Sequence, residues 1–220
     1  MEVSAPMAFL SLPRSGLHYT ERLLNLNTVE GIHRVGGNPH YITKGFLVEG
    51  SILQRLSKAV LVTKNPYAWL ESFHRFTLIQ PHKERCNTPE RFSEFLREVR
   101  DYGMRFSGTP LDHWNFIQWV WLSARPRSYT IHVKYEALIV NSERALANVI
   151  HAHGLTRLAG AWQDEDMQVG SSGEVTAELN RRRWYADGGY LDGFSSEDIS
   201  YVEEHLDGEV LAALRYGRMA

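Results

Sequence analysis

The sequence predicts an α/β fold, a three-layer sandwich with helices on both sides of a central parallel sheet. Three observations carry that prediction. Short apolar runs end repeatedly in turn residues and give way to segments of helical spacing. The strand candidates are separated by long, mostly helical stretches, and parallel strands need crossovers of that length. The 220 residues suit one domain spanning 1–220 with a single core.

The elements follow in order. Met7–Leu12 (MAFLSL) is a short apolar strand bounded by Pro13 and Gly16, and Tyr19–Leu26 then switches to helical spacing through Leu23, Leu24 and Leu26. Tyr41–Lys44 reads as a second strand after the turn-rich Gly36–Pro39 stretch, leading into a helical segment at Ile52–Leu56. Ala59–Thr63 (AVLVT) is the clearest β-branched strand; Asn65 and Pro66 end it and open a helix carrying Trp69, Leu70, Phe73 and Phe76.

Beyond the polar Gln80–Asn87 loop, Pro89–Tyr102 has amphipathic spacing with Thr88 as its N-cap, and Leu111–Ala124 reads as a mostly buried helix. Tyr129–Lys134 alternates as a strand, and Ser142–His153 is a helix that Gly154 stops. Gln163–Gly193, rich in Gly, Ser and charge, reads as a long loop or lid before two closing helices, Ser195–Leu206 and Glu209–Tyr216.

Composition narrows the function classes. Lys+Arg 24 against Asp+Glu 26 leaves a formal charge of -2, and 43% of residues are hydrophobic. That excludes a disordered chain and a generally basic polyanion binder, while leaving room for a local basic pocket. No nucleic-acid partner is expected. Ten histidines add positive charge below about pH 6.5 where solvent reaches them. Cys86 is the single cysteine, so a disulfide framework and a thiolate zinc site are excluded and a reducing, cytoplasmic compartment is expected. The first residues, MEVSAPMAFLSLPRSG, lack a basic n-region, and Pro13 breaks their apolar run, so neither a signal peptide nor a membrane association is expected.

The candidate chemistry sits at strand ends. In Leu12–Thr20 (LPRSGLHYT), Gly16 joins a strand to a helix, where backbone N–H groups and the positive helix end converge on an anion; Arg14 adds charge and Ser15 a hydroxyl. A Pro-Ser-Gly turn is also a sufficient structural explanation of that segment. Neither G-x-x-x-x-G-K-[ST] nor G-x-G-x-x-G is present, which disfavours an ordinary nucleotide-hydrolysing P-loop and a dinucleotide fold. At the next junction, Val60–Phe76, Lys64 ends the strand and Ser72 lies on the following helix, both within reach of one sheet edge.

These segments together resemble the sulfotransferases that use 3′-phosphoadenosine 5′-phosphosulfate (PAPS). Pro13–Tyr19 is similar to their 5′-phosphosulfate loop in its PRSG-x-H-W form. Lys64-Asn65-Pro66 with Ser72 resembles their R-D-P and the Ser six residues on, and Val133–Glu136 (VKYE) resembles their v-R-Y-E segment. Arg181–Asp198 is similar to their late basic segment, so the resemblance runs from about Met7 to the C-terminus.

The resemblance implies a P-loop-like architecture, PAPS as donor and PAP as product, no metal, and a hydroxyl or amine of a small molecule or glycan as acceptor. It implies that Arg14, Ser15, Gly16, Leu17, His18, Tyr19 and Thr20 hold the 5′-phosphosulfate, with Tyr19 beside adenine in place of a family Trp. Lys64 and Ser72 would hold the 3′-phosphate, Tyr135 would pack near the base, and Arg181, Arg182 and Arg183 are candidates to close on the 3′-phosphate. Lys44 matches the Lys of the family's K-T-H segment and, with Arg14, would stabilise charge during transfer.

The chain also departs from the pattern. Phe46 stands where the family has its catalytic His, which leaves His40, then His33 or Glu49, as replacement bases. Lys64 for Arg loses the bidentate fork, Asn65 removes a carboxylate, and Leu17 replaces a hydroxyl residue. A noncatalytic PAP-binding protein is therefore one alternative, and a P-loop-type nucleotide or metabolite kinase a lesser one, since no motif marks the metal-binding carboxylate and Walker lysine it would need. Other signals have plainer readings. Trp114, Trp119 and Trp121 read as core and a pocket wall, His151 and His153 as helix-end residues, Cys86 as a lone loop thiol, and Arg75, Lys83 and Arg85 as a solvated surface.

Overall fold

A computed structural model of the chain describes residues 4–34, 59–79, 91–102, 106–124, 130–164 and 184–218. The expected strand Tyr41–Lys44, the helical segment Ile52–Leu56 and the Gln80–Asn87 loop lie outside those residues. The chain divides into two compact units: Met1–Lys64 with Ala124–Arg183, and Asn65–Ser123 with Trp184–Ala220.

The first unit is a four-stranded parallel sheet in the order β2-β1-β3-β6, with β1 at Ser4–Leu10, β2 at Gly31–Arg34, β3 at Ala59–Thr63 and β6 at Thr130–Lys134. The fold is α/β with a small parallel sheet, as the alternation of strands and helices predicts. β3 is buried at all five positions, which is why its sequence is a continuous apolar and β-branched run rather than an alternating one. β1 pairs with β2 through Ser4 to Met7 and with β3 through Ala8 to Leu10, so it is the strand shared by both halves of the sheet. It ends at Leu10, two residues before the expected boundary.

Helix α1 (Leu17–Asn27) places Leu17, Leu23 and Leu24 in the core. Its Asn25 accepts from Ile32 N at 2.6 Å and donates to Ile32 O at 3.3 Å, which satisfies main-chain groups of β2 from the side. β2 was not expected. His33 lies inside it, opposite Pro6, and not in the loop before a later strand.

β6 passes directly into α5 (Tyr135–Val140), also unexpected, and α6 (Ser142–Ala152) follows. Asn141 caps α6 by accepting from Arg144 N at 2.9 Å, and Gly154 takes φ 60 just past its end, the left-handed stop that the sequence signals. From there the chain runs beside α1: Val29 N donates to Thr156 O, Leu158 N to Asn27 O, and Asn27 exchanges two hydrogen bonds with the main chain of Gln163.

In the second unit, α2 (Pro66–Ile79) starts where expected, with Asn65 Oδ1 accepting from Tyr67 N at 3.0 Å and Pro66 at the first helical position. The carboxamide does the work of an N-cap, so a carboxylate is not needed to shape this turn. Trp69 and Phe73 stack at 4.7 Å on the buried side of this helix. Tyr67 is buried, and both that burial and the Glu203 carboxylate it donates to push its phenol well above the usual range.

The expected helix Pro89–Tyr102 is much shorter. It is α3 (Phe92–Arg97) with Arg91 rather than Thr88 at its N-cap, and Arg100 and Asp101 form β4, paired antiparallel with β5 (Ser107–Gly108). Arg100 draws the chain out of the helix, because it is 5% exposed, pairs with Glu98 and lies 4.9 Å over the Phe95 ring. Helix α4 (Pro110–Ala124) opens with a reciprocal cap in which Thr109 N donates to Asp112 Oδ2 and Asp112 N donates to Thr109 Oγ1.

Trp114 and Trp121 on α4 are core, as expected, but Trp119 is 53% exposed and does not belong to it. His113 is buried against Tyr102, their rings 4.0 Å apart, and burial lowers its pKa to about 3, so this histidine does not join the others in charging at mildly acid pH. Within the expected 163–193 loop, residues 184–186 form a helical turn and Gly189–Leu191 a 3-10 turn. Helices α7 (Ser196–His205) and α8 (Gly208–Leu214) close the unit close to their expected bounds. No helix among the described residues is long and apolar enough to cross a membrane.

Candidate functional site

Because β1, β3 and β6 are parallel, their C-terminal ends open on one edge of the sheet, the edge where ligands of open α/β sheets gather. Three segments singled out in the sequence leave from it: the loop after β1, Lys64 after β3, and Tyr135 after β6.

The loop between β1 and α1 reverses tightly, with Ser15 N donating to Leu12 O at 3.2 Å. Arg14 (φ 67) and Gly16 (φ 90) both adopt left-handed backbone on either side of Ser15. Gly16 is the N-cap of α1, and it supplies no side-chain cap, nor does the first turn carry an acidic residue. The helix thus presents its positive end, with first-turn N–H groups that lack intrahelical acceptors, to the sheet edge. Ser15 is 1% exposed and its Oγ has no hydrogen-bond partner among the described residues. A buried hydroxyl left without a partner is costly unless something polar arrives.

Gly16 is required there for a second reason. A Cβ at this position would sit 2.2 Å from Tyr135 Cδ2, so the Tyr135 ring packs directly against the loop backbone. Tyr135 itself is 6% exposed. Its neighbour Lys134 is the register partner of Thr63, so Lys64 and Tyr135 are successive steps along paired strands. The consequence is direct: Lys64 Nζ lies 5.1 Å from the Tyr135 ring centroid, within cation–π range, with the side chain only 3% exposed. On the same two strands, Thr63 Oγ1 and His132 Nε2 lie 2.6 Å apart. Gly16, Lys64 and Tyr135, far apart in sequence, thus meet around one ring.

The remaining loop residues take different positions. Leu17 is buried, which leaves no task for a hydroxyl in its place, while His18 is exposed on the first turn. Thr20 is buried and its hydroxyl donates to Gly16 O at 3.0 Å, fastening the helix start to the loop. Tyr19 donates from its hydroxyl to Asp164 Oδ1 at 3.0 Å, and the same oxygen accepts from Ser142 Oγ at 3.0 Å, which in turn accepts from Trp162 Nε1 at 2.7 Å. Asp164 was not anticipated. It is 145 positions from Tyr19, and no local pattern marks it.

Ser72 is buried on α2 in the second unit. Lys44, His40, Phe46, Glu49, Arg181, Arg182 and Arg183 lie outside the described residues. No group of three or more His, Cys, Asp or Glu among the described residues is arranged to hold a metal ion. A scan of the chain against protein-family models and a search of curated proteins both find no match.

Proposed function

We propose that this chain is a PAPS-dependent sulfotransferase of P-loop-like, three-layer architecture, acting on a hydroxyl or amine of a small-molecule or glycan acceptor. The observation that carries the reading is the meeting of the uncapped Gly16 loop, the Lys64 ammonium and the Tyr135 ring at one sheet edge. The residues suit an anionic nucleotide on three counts: a buried Ser15 hydroxyl without a partner among the described residues, a helix N-terminus with no side-chain cap and no acidic residue in its first turn, and a cationic side chain held beside an aromatic face.

PAPS, when bound, supplies the sulfuryl group, which passes in line to the acceptor oxygen or nitrogen while PAP leaves. The protein's share is alignment and charge stabilisation, as in phosphoryl transfer. Arg14, the Ser15 hydroxyl and the N–H groups from Gly16 to Thr20 hold the 5′-phosphosulfate, and the helix dipole favours the negative charge that grows on departure. Lys64 holds the 3′-phosphate, and the family resemblance assigns Ser72 and one or more of Arg181–Arg183 to the same phosphate. Tyr19 and Tyr135 flank the base. Lys44 stabilises the transferring group, and with Phe46 at the family's His position the acceptor proton falls to another base, for which His40 is the candidate.

Calorimetric titration with PAP and with ATP tests the donor site. PAP should bind at least tenfold more tightly than ATP, and Lys64→Ala should weaken PAP by roughly 1.5–3 kcal/mol, the worth of a hydrogen bond to a charged group. Ser72→Ala should weaken it less. Equal affinity for PAP and ATP, or no loss in either variant, overturns the assignment.

Phe46 favours one second reading, a PAP-binding protein without transferase activity. The Lys44→Ala variant separates the two: a transferase should lose turnover by about two orders of magnitude, as when one oxyanion donor is removed, with PAP affinity nearly unchanged. Wild-type protein that binds PAP but transfers to no hydroxyl or amine acceptor supports the noncatalytic reading.

A further inference from the structure

We infer that the second unit carries a binding site for an organic cation, a protonated or quaternary amine, in an open cleft on one face of α4. The cleft encloses about 440 Å³ and is lined by Phe106, Asp112, Asn115, Phe116, Trp119 and Asp207, among others. It lies wholly within the second unit and does not depend on the nucleotide reading.

Asp112, Asn115, Phe116 and Trp119 recur at i, i+3, i+4 and i+7, which puts them on a single helix face. That face differs from the rest of the helix: Trp114 and Trp121 are 0% and 3% exposed, whereas Trp119 keeps 53% of its surface in water. Phe106 stacks on Phe116 at 4.5 Å with the rings 5° from parallel, so the aromatic wall is continuous beyond the helix. Two aromatic groups and a half-exposed indole form a surface that gains from being covered.

Charge decides what covers it. Among the described residues, two carboxylates line the cleft and no Lys or Arg does. Both are held in place by caps: Asp112 Oδ2 accepts from Thr109 N and Thr109 Oγ1, and Asp207 Oδ1 accepts from Glu209 N and Val210 N. Each keeps its other oxygen, Oδ1 of Asp112 and Oδ2 of Asp207, without a hydrogen bond among the described residues. Asn115 pins the two sides together, donating to His205 O at 2.7 Å and accepting from Asp207 N at 3.1 Å. Arg218 reaches the same turn, but it donates to Leu206 O at 3.2 Å and does not line the cleft. Aromatic faces beside two carboxylates with no described Lys or Arg in the cleft attract a cation through both the ring quadrupole and direct charge, and the volume suits a small amine. A neutral sugar would use the rings but gain nothing from the net charge.

Choline chloride is a suitable probe, with 3,3-dimethyl-1-butanol as its uncharged counterpart of the same shape. Choline should saturate the full chain and shift the Trp119 indole N–H resonance, identified by its loss in Trp119→Phe. The alcohol should bind about tenfold more weakly. In the double variant Asp112→Asn, Asp207→Asn an amide oxygen replaces the carboxylate oxygen used at the N-cap of α8 and in the first turn of α4; the variant should stay folded with a modestly lower melting temperature and lose about tenfold in choline affinity. Equal binding of the alcohol, full choline affinity in the double variant, or saturation that leaves the Trp119 resonance in place would each overturn the inference. Preference for methyl glucoside over choline would overturn it in favour of a neutral carbohydrate.

Discussion

A Gly16→Ala variant is expected to unfold about 3 kcal/mol more easily than wild type and, on the proposed reading, to weaken PAP binding by about two orders of magnitude. Two separate penalties combine. At φ 90 a residue with a Cβ is strained by about 1–2 kcal/mol. The added methyl would also stand 2.2 Å from Tyr135 Cδ2 and 2.7 Å from Cε2, and forcing a well-packed site apart costs about 1–3 kcal/mol. Tyr135 cannot yield cheaply, because it is 6% exposed and lies at the junction of β6 and α5. If the loop yields instead, the left-handed turn that gathers its N–H groups at the sheet edge is lost. Denaturant titration and PAP calorimetry read the two effects separately. The origin of the strain is testable by a double-mutant cycle: in a Tyr135→Ala background the added methyl should cost at least about 1 kcal/mol less, since the clash is gone and only the dihedral penalty remains. Additive effects would show that the ring is not what excludes a side chain at position 16.

The same ring explains why the site was partly legible in sequence. Gly16, Lys64 and Tyr135 each follow a recognisable strand, and parallel pairing brings successive strand ends to one edge, so strand boundaries alone place them together. β3 was legible because a strand buried on both faces needs an unbroken β-branched run. What escaped has non-local causes. β2 is four residues with a Gly and an Arg; it exists because β1 and Asn25 supply its hydrogen bonds. β4 and β5, two residues each, are too short to show a period. α5 begins without a side-chain cap, directly from a strand, so no start signal precedes it. Asp164 reaches Tyr19 because the chain after α6 folds back along α1, held by main-chain bonds and by the Asn27 carboxamide on Gln163, and such long-range partners leave no local pattern in residue types. Arg14 takes a left-handed backbone that nothing in an arginine announces.

The second large effect is on the fold. Asp198→Asn should destabilise the second unit by about 3 kcal/mol at neutral pH, and the difference from wild type should shrink in acid. The Asp198 side chain is 2% exposed and anchors three things at once. It closes the capping box of α7 by accepting from Ser195 N and Ser195 Oγ, it accepts from Ser93 Oγ at 2.6 Å, and it pairs with Arg97 at 2.6 Å, so α3 and α7 are locked through one carboxylate. Burial opposes its ionisation, but the hydrogen bonds from Ser93, Arg97 and Ser195 outweigh that and hold its pKa below the ordinary 3.8. Every donor around it wants an acceptor. An amide offers one oxygen and turns its NH2 toward groups that cannot accept, and breaking a buried pair from one side costs about 3–5 kcal/mol, discounted here because Arg97 is 39% exposed. A pKa depressed on folding contributes stability that is fully present above the unfolded value. As pH falls below about 3.8, the unfolded chain takes up the proton first, and the contribution drains away until the folded carboxyl is protonated too. Urea denaturation of both proteins at pH 7 and near pH 3 measures this directly. A gap that stays constant between those pH values would mean that the variant's deficit comes from lost shape at the α7 cap and not from lost charge.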